Sequence, residues 1–355
     1  MFTHTSVRRA ATALVATGLA TSLVAAGSPA QAAPADRGAH WLSDQLTGGL
    51  VHNDQFDFDD YGLSIDTAFG LHAIGGHTSD VRQVRHALSS HVGDYTGIGA
   101  EKYSGATAKL LVLVQSTGGD PTGFGGVNLV KKLNGLVTTK GPAKGRIADQ
   151  SQFGDFANTI GQILAARGLT TAKSGRATAV RDFLLEQQCR QGFFRLNFSK
   201  PKAQHQSCGK NSPADPDATS YAVVQLWRTS KGHPVLRDAL RRASAWLAEQ
   251  QRKNGSFIGG TSTATPNTNS TGLAAWALAT SGRCTAAKQA AQWVSGFQLG
   301  AQAPGSKLAG QRGAIAYDRA GMKAGRRDGI TTETQDQWRR ATSQAAPALR
   351  FRHGC

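Results

Sequence analysis

Carboxylates crowd one short stretch of this 355-residue chain. Asp54, Asp57, Asp59, Asp60 and Asp66 follow one another with no Lys or Arg between them, and Asp57-Phe58-Asp59-Asp60 is the densest part. Acids so arranged can coordinate a cation or accept hydrogen bonds from a polar ligand. One of them, if apolar walls enclosed it and raised its pKa, could deliver a proton. They can also do nothing more than favour the positive end of a helix. Tyr61 and Asp66 are ligand-binding candidates on this ground.

A second set of chemically able residues is defined by period. Six segments share a small or polar first residue, usually a hydroxyl two positions later, and then a run rich in Ala, Leu and Val. They begin at Gly62, Gly105, Asp155, Asp217, Asn269 and Thr332, with hydroxyls at Ser64, Thr107, Thr219, Thr271 and Thr334 and Ala157 in the third. Four residues after these starters stand Asp66, Lys109, Thr159, Tyr221, Leu273 and Asp336. Equivalent positions on equivalent helices meet at one level, so the polar members would line a common mouth. Asp66, Lys109, Asp155, Asp217, Tyr221, Asn269 and Asp336 are ligand-binding candidates for that reason, although Asp217 at a helix start also reads as a cap.

The elements that must position them are helices of two kinds. Leu63 to Ile74, Ala106 to Thr117, Phe156 to Ala166, Ala218 to Thr229 and Ser270 to Thr280 are apolar around most of their circumference, which marks buried helices. Between them run amphipathic ones. In Val235 to Gln251 the apolar Leu236, Leu240, Ala243, Trp246 and Leu247 recur at three and four, while Arg237, Arg241, Arg242 and Glu249 cover the other face. One inner helix, one half-exposed outer helix and a loop account for each repeat. Leu71, Leu113, Leu164, Leu226 and Leu278, nine after their starters, should be buried together.

Composition sets the compartment. The chain carries 40 Lys+Arg against 23 Asp+Glu, and 39% hydrophobic residues with 42 Gly and 11 Pro mark a globular chain. Arg8-Arg9, an apolar run from Ala10 to Ala26 and then Ala30-Gln31-Ala32 read as a secretory signal cut after Ala32. Small Ala10 and Ala11 after the arginines favour the general secretory route over the twin-arginine one. One domain, 33–355, remains, still with a charge of +15 once Arg8 and Arg9 are removed. No other run is long enough to span a bilayer. An even count of four cysteines in an exported chain reads as disulfides, with Cys189 to Cys208 and Cys284 to Cys355 the favoured pairing of three. No Cys-x-x-Cys exists for zinc and no Gly-x-Ser-x-Gly for a nucleophile. No metal and no cofactor are expected. The late basic surplus, Arg319, Lys323, Arg326, Arg327, Arg339, Arg340, Arg350 and Arg352, suits acidic wall polymers or polysaccharide outside the cell. No nucleic-acid motif accompanies it.

The ends of the outer helices carry a shared pattern: Trp41-Leu42-Ser43-Asp44-Gln45, Phe183-Leu184-Leu185-Glu186-Gln187, Trp246-Leu247-Ala248-Glu249-Gln250 and Trp293-Val294-Ser295-Gly296-Phe297-Gln298. Two continue alike, through Gly192-Phe193 and Gly255-Ser256-Phe257. Aromatic-aliphatic-x-x-Gln followed by Gly-x-aromatic resembles the repeat of the terpenoid cyclase and protein prenyltransferase α/α toroid superfamily. The likeness is greatest to secreted actinobacterial proteins with prenyltransferase/squalene-oxidase-type repeats, and it runs from about Ala39 to Leu349. It implies an all-α toroid of six helical hairpins, six inner helices ringed by six outer ones, with the inner N-termini at one mouth. It also implies a reading of Asp57-Phe58-Asp59-Asp60, which has the form of the proton-donating motif of class II terpene cyclases, with Asp59 the general acid. Those cyclases resemble a pair of toroids where this chain holds one. The zinc-binding Asp-x-Cys of the prenyltransferases is absent. The resulting expectation is a secreted toroid that binds a ligand at its mouth. The alternatives are an enzyme of terpene cyclase-like or polysaccharide-processing type using Asp57, Asp59, Asp60 and Tyr221, and a structural or interaction protein of the cell wall.

Overall fold

The computed structural model describes residues 32–260 and 263–355. The signal-peptide reading of the first 32 residues therefore lies, but for Ala32, outside the described residues. Residues 33–355 form one unit. Its inner helices are α2 (Tyr61–Ile74), α5 (Ser104–Ser116), α7 (Thr159–Thr171), α9 (Pro216–Leu226), α11 (Thr268–Thr280) and α14 (Gln335–Ala345), the last continued by a 3₁₀ segment (Ala346–Phe351). The outer helices are α1 (Pro34–Ser43), α3 (Thr78–Ser89), α6 (Leu129–Asn134), α8 (Ala177–Glu186), α10 (Pro234–Gln250) and α12 (Cys284–Ser295). Short α4 (Val92–Thr96) and α13 (Arg319–Asp328) lie in connections. Among the described residues the only sheet is a two-residue hairpin, β1 (His52–Asn53) against β2 (Phe58–Asp59), antiparallel with His52 opposite Asp59. No described helix is long and apolar enough to cross a membrane.

The ring closes. Each inner helix packs on the next, α2 on α5 and so on to α11 on α14, and α14 packs back on α2. The first helix, α1, serves as the sixth outer one, seated on the 3₁₀ segment and α2. Small residues set the spacing of the inner helices: a methyl group at Gly272 of α11 would lie 2.5 Å from Ala345 Cα of α14, and one at Gly70 of α2 would lie 2.8 Å from the Ser343 carbonyl. The five leucines expected to share the core are all buried, with 2% or less of their surface exposed.

A hydrogen bond fixes the register of the repeat. In five of the six repeats the loop before the inner helix donates one backbone N–H to the same position of that helix. Val51 N bonds Ser64 Oγ at 2.8 Å, Phe194 N bonds Thr219 Oγ1 at 2.9 Å and Phe257 N bonds Thr271 Oγ1 at 3.0 Å. In the third and sixth repeats the acceptors are Gln162, from Ile147 N at 2.9 Å, and Thr342, from Ile315 N at 2.9 Å. The equivalent starters there are thus Ile160 and Arg340, not Asp155 and Thr332. The slip has a physical cause in each case. Asp155 terminates a loop, taking Arg146 at 2.6 Å, while Asn158 caps α7. The sixth inner helix carries an extra N-terminal turn, 335–338, which displaces its apparent start.

The Gln at the end of the outer-helix pattern, or the one that directly follows it as Gln188 and Gln251 do, locks neighbouring hairpins together with the glycine of the turn. Gln188 Nε2 donates to the Gly192 and Ala239 carbonyls at 2.8 and 2.7 Å. Gln251 does the same to Gly255 and Ala286, at 3.1 and 2.9 Å. Gln298 does so to Gly313 and Pro34, joining α12 to α1. Gly255 has φ +87° and sits where a Cβ would fall 2.5 Å from the Gln289 carbonyl of α12, so only glycine fits both the turn and the approach. Cys189 pairs with Cys208 and Cys284 with Cys355, at Cα separations of 5.1 and 5.2 Å. That is the favoured pairing.

Candidate functional site

With the register set by the loop hydrogen bonds, the residues four after each starter are Asp66, Lys109, Leu164, Tyr221, Leu273 and Gln344. All six line one cavity of about 270 Å³ on the ring axis. Asp217 and Ile160 border it from the helix starts, and Phe69, Gln225 and Trp276 from below.

Each polar group reaches the cavity for a local reason. Lys109 of α5 spans to α2, where its Nζ lies 2.7 Å from Asp66 Oδ1 and donates to the Gly62 carbonyl at 2.9 Å. Burial works against the ammonium, but the Asp66 carboxylate outweighs it and the Lys109 pKa is raised. Burial raises the Tyr221 phenol as well, with the Asp66 charge adding to it. Asp215 caps α9, accepting from Ala218 N at 2.7 Å, which leaves Asp217 in the first turn without a capping role. Burial pushes the Asp217 carboxyl up to about 6, Asp215 adds to the rise, and hydrogen bonding toward Ser270 and the Gly260 amide opposes it. Its Oδ1 has no partner among the described residues. A carboxyl poised near neutrality, aimed into a cavity with a phenol and an ion pair, can exchange a proton with a bound ligand.

Four of the ligand-binding candidates, Asp66, Lys109, Asp217 and Tyr221, are thus brought together. The others are not. Tyr61 stacks on the His91 ring, centroids 4.9 Å apart. Asp155 is held by Arg146. Asp336, in the extra turn of α14, accepts from Asn53 at 2.8 Å and faces Arg339 and Arg340 at 3.6 Å. Asn269 begins α11 with its Oδ1 buried and unpartnered, beside but not lining the cavity.

Asp57, Asp59 and Asp60 lie outside the cavity, and this corrects the reading of them as a proton-donating set. Asp57 is 98% exposed at a left-handed turn position, φ 53°. Asp59, 40% exposed in β2, holds His52 Nδ1 at 3.0 Å. Asp60 caps α2 through Leu63 N at 2.8 Å and pairs with Arg340. None lines the cavity, and each is held by a hydrogen-bonding or charged neighbour outside it. The late basic run is also partly spent inside: Arg339, 5% exposed, donates to the His52 carbonyl at 2.6 Å and to Gln45 at 3.1 Å.

Phe69, Arg167 and Trp276, seven after their starters, and Gln225, eight after, escaped the sequence reading. The signal was available, because positions four and seven lie on one helix face.

Six inner helices, closed into a ring around a cavity at their N-terminal end, define the chain as an α/α toroid, with the fold of the terpenoid cyclase-like proteins. Solved structures agree. A protein from Actinoplanes is 16% identical with a TM-score of 0.60, over 90% of this chain and 98% of that one. The type II terpene cyclase MstE from Scytonema is 14% identical, TM-score 0.57, over 89% and 98%. An unsaturated glucuronyl hydrolase from Bacillus sp. GL1, responsible for the degradation of glycosaminoglycan, is 11% identical, TM-score 0.57, over 89% and 94%. Likeness at these identities establishes the fold alone. No family model and no curated protein matches the chain.

Proposed function

We propose that this is an exported protein that binds a polar, saccharide-sized ligand in the N-terminal mouth of its toroid, with Asp217 as the proton-exchanging group on that ligand. The observation that carries the reading is the unequal treatment of two carboxyls in one cavity. Asp66 is matched to Lys109, whereas Asp217 forms no ion pair among the described residues and is pushed up to about 6. Environments that separate two carboxyls in this way are those that assign acid–base roles.

The remaining wall is mixed, with Ile160, Leu164 and Leu273 apolar, and the reading of a sugar rests on the groups that could engage one. Trp276, Phe69 and Tyr221 offer aromatic faces, while Gln225, Gln344, Lys109 and Asp66 offer donors and acceptors. The volume of about 270 Å³ lies just under the usual range for ligand cavities, roughly 300–1,000 Å³. A glucuronyl hydrolase among the structural neighbours shows that this fold can serve glycan chemistry in another protein. Two disulfides suit an oxidising compartment and hence export.

A panel of wall and extracellular oligosaccharides tests the reading, with binding followed by calorimetry and bond cleavage by new reducing ends. Asp217→Asn should keep binding within a few-fold and reduce cleavage by about 100-fold or more. Binding without cleavage by the parent chain would remove the role of Asp217 and leave a binding protein. No saturable binding of any member would end the reading.

A further inference from the structure

The inner helices end over a second cavity, of about 420 Å³, which Phe69, Gln225 and Trp276 separate from the first. Three guanidinium groups border it, Arg167 of α7, Arg228 just beyond α9 and Arg350 of the 3₁₀ segment, and among the described residues no Asp or Glu does.

Arginines near helix ends commonly serve the carbonyls there, where positive charge is favoured. Arg350 does so, donating to the Ala73 carbonyl in the last turn of α2. The ends of α5 and α9 are served from elsewhere, by Arg85 on the Thr117 carbonyl and Arg237 on the Trp227 carbonyl. Arg228 has no such role, since its guanidinium makes no hydrogen bond and no ion pair among the described residues. Arg167 is half-buried with neutral partners only, Gln225 and the Ser116 hydroxyl at 2.8 Å. Burial lowers its pKa, and the charge of Arg228 adds to that against the opposing Tyr221. Besides Arg350, two cations without an ion pair among the described residues thus border one cavity, Arg167 half-buried and Arg228 exposed, and an anion between them would supply the missing counter-charge.

The geometry points to an oxyanion site: we propose that this cavity binds a phosphate or sulfate group through Arg228 and Arg167, with the Ser116 and Thr280 hydroxyls lining the same space. Forked guanidinium donors match two oxygens of such a group. The site lies at the opposite end of the ring from Asp217 and does not depend on the saccharide reading.

The anion has two sources, a free ion or an ester on a larger molecule. Calorimetric titration of the whole chain with inorganic phosphate, inorganic sulfate and glucose 6-phosphate, against chloride at matched ionic strength, separates them. One saturable site is expected, weakened at least tenfold by Arg228→Gln, an exposed position where folding is not at risk, and by less than twofold by Arg319→Gln, an exposed arginine outside the cavity. Tighter binding of the ester than of inorganic phosphate would support the site and assign it to an esterified ligand, and equal or weaker binding would support it and assign the free ion. Absence of saturation beyond the chloride response would overturn the proposal. So would equal weakening by both substitutions, since that would mean a general field and no site.

Discussion

At the end where the inner helices begin, the ring axis holds Asp66, Asp217, Tyr221 and a single cation, Lys109; at the end where they finish, it holds Arg167, Arg228 and Arg350 and no acid among the described residues. The two cavities share a partition of three side chains and are built from the same six helices, so their opposite character comes from direction. Exposed N–H groups at the helix starts favour acids, and exposed carbonyls at the ends favour cations. Much of the charge at each end is spent on that backbone chemistry. Asp60 and Asp215 accept amide hydrogens at the starts, and Arg85, Arg237 and Arg350 donate to carbonyls at the ends. What distinguishes a site from a cap is the residue left over, Asp217 at one end and Arg228 at the other.

Four measurements probe this contrast, beginning with the largest effect. Each end has its own disulfide. Cys189–Cys208 closes 19 residues beside the N-terminal mouth, and Cys284–Cys355 closes 71 beside the other. On the loop-entropy account, Cys284→Ser with Cys355→Ser should cost about 4 kcal/mol in urea unfolding, and the shorter bridge about 1 kcal/mol less. A smaller loss for the longer bridge would mean that its end of the ring is already frayed.

Lys109→Met should cost about 3 kcal/mol, because it leaves Asp66 without its partner in a largely buried setting. A loss below about 1 kcal/mol would show that water reaches the N-terminal mouth freely and that the ion pair there is a surface one.

Asp217 gives a pH signature. Between the ordinary carboxyl value of 3.8 and about 6, the folded chain holds a proton at Asp217 that the unfolded chain has lost. Stability contributed by this group therefore falls as pH rises through that window and is constant above it. The total is on the order of 2–3 kcal/mol. Asp217→Asn should abolish the slope and be the more stable protein at pH 7, as difference denaturation curves from about pH 3.5 to 7.5 would reveal. An unchanged slope would deny that the carboxyl is enclosed.

The smallest effect belongs to Arg228→Gln, expected to alter stability by less than about 0.5 kcal/mol while it disables oxyanion binding. A larger loss would return Arg228 to the structural cations and erase the distinction between the two ends.

How far these sites were legible in the chain depends on the repeat. Asp66, Lys109 and Tyr221 could be placed because their segments start cleanly, with Gly62, Gly105 and Asp217 in the first turn and a hydroxyl two later. Leu164 falls at another level of the sequence repeat and Gln344 at none, where Thr159 and Asp336 stand instead, since the loop before α7 ends in capping residues of its own and α14 begins a turn early. Asp59 misled for a different reason: a motif is a string, and enclosure depends on what packs over it. Both residues of β2 remain solvent-accessible.

The all-helical toroid, the alternation of buried and amphipathic helices and the disulfide pairing could all be read along the chain, because periodicity, composition and cysteine placement are local properties that each repeat states anew. That one oxygen of the Asp217 carboxyl lacks a partner among the described residues, that Gln344 completes the ring and that Arg228 and Arg167 border one cavity became visible only in three dimensions. Those properties arise where helices far apart in the chain meet. Burial and the absence of a partner are facts about neighbours that no single segment contains.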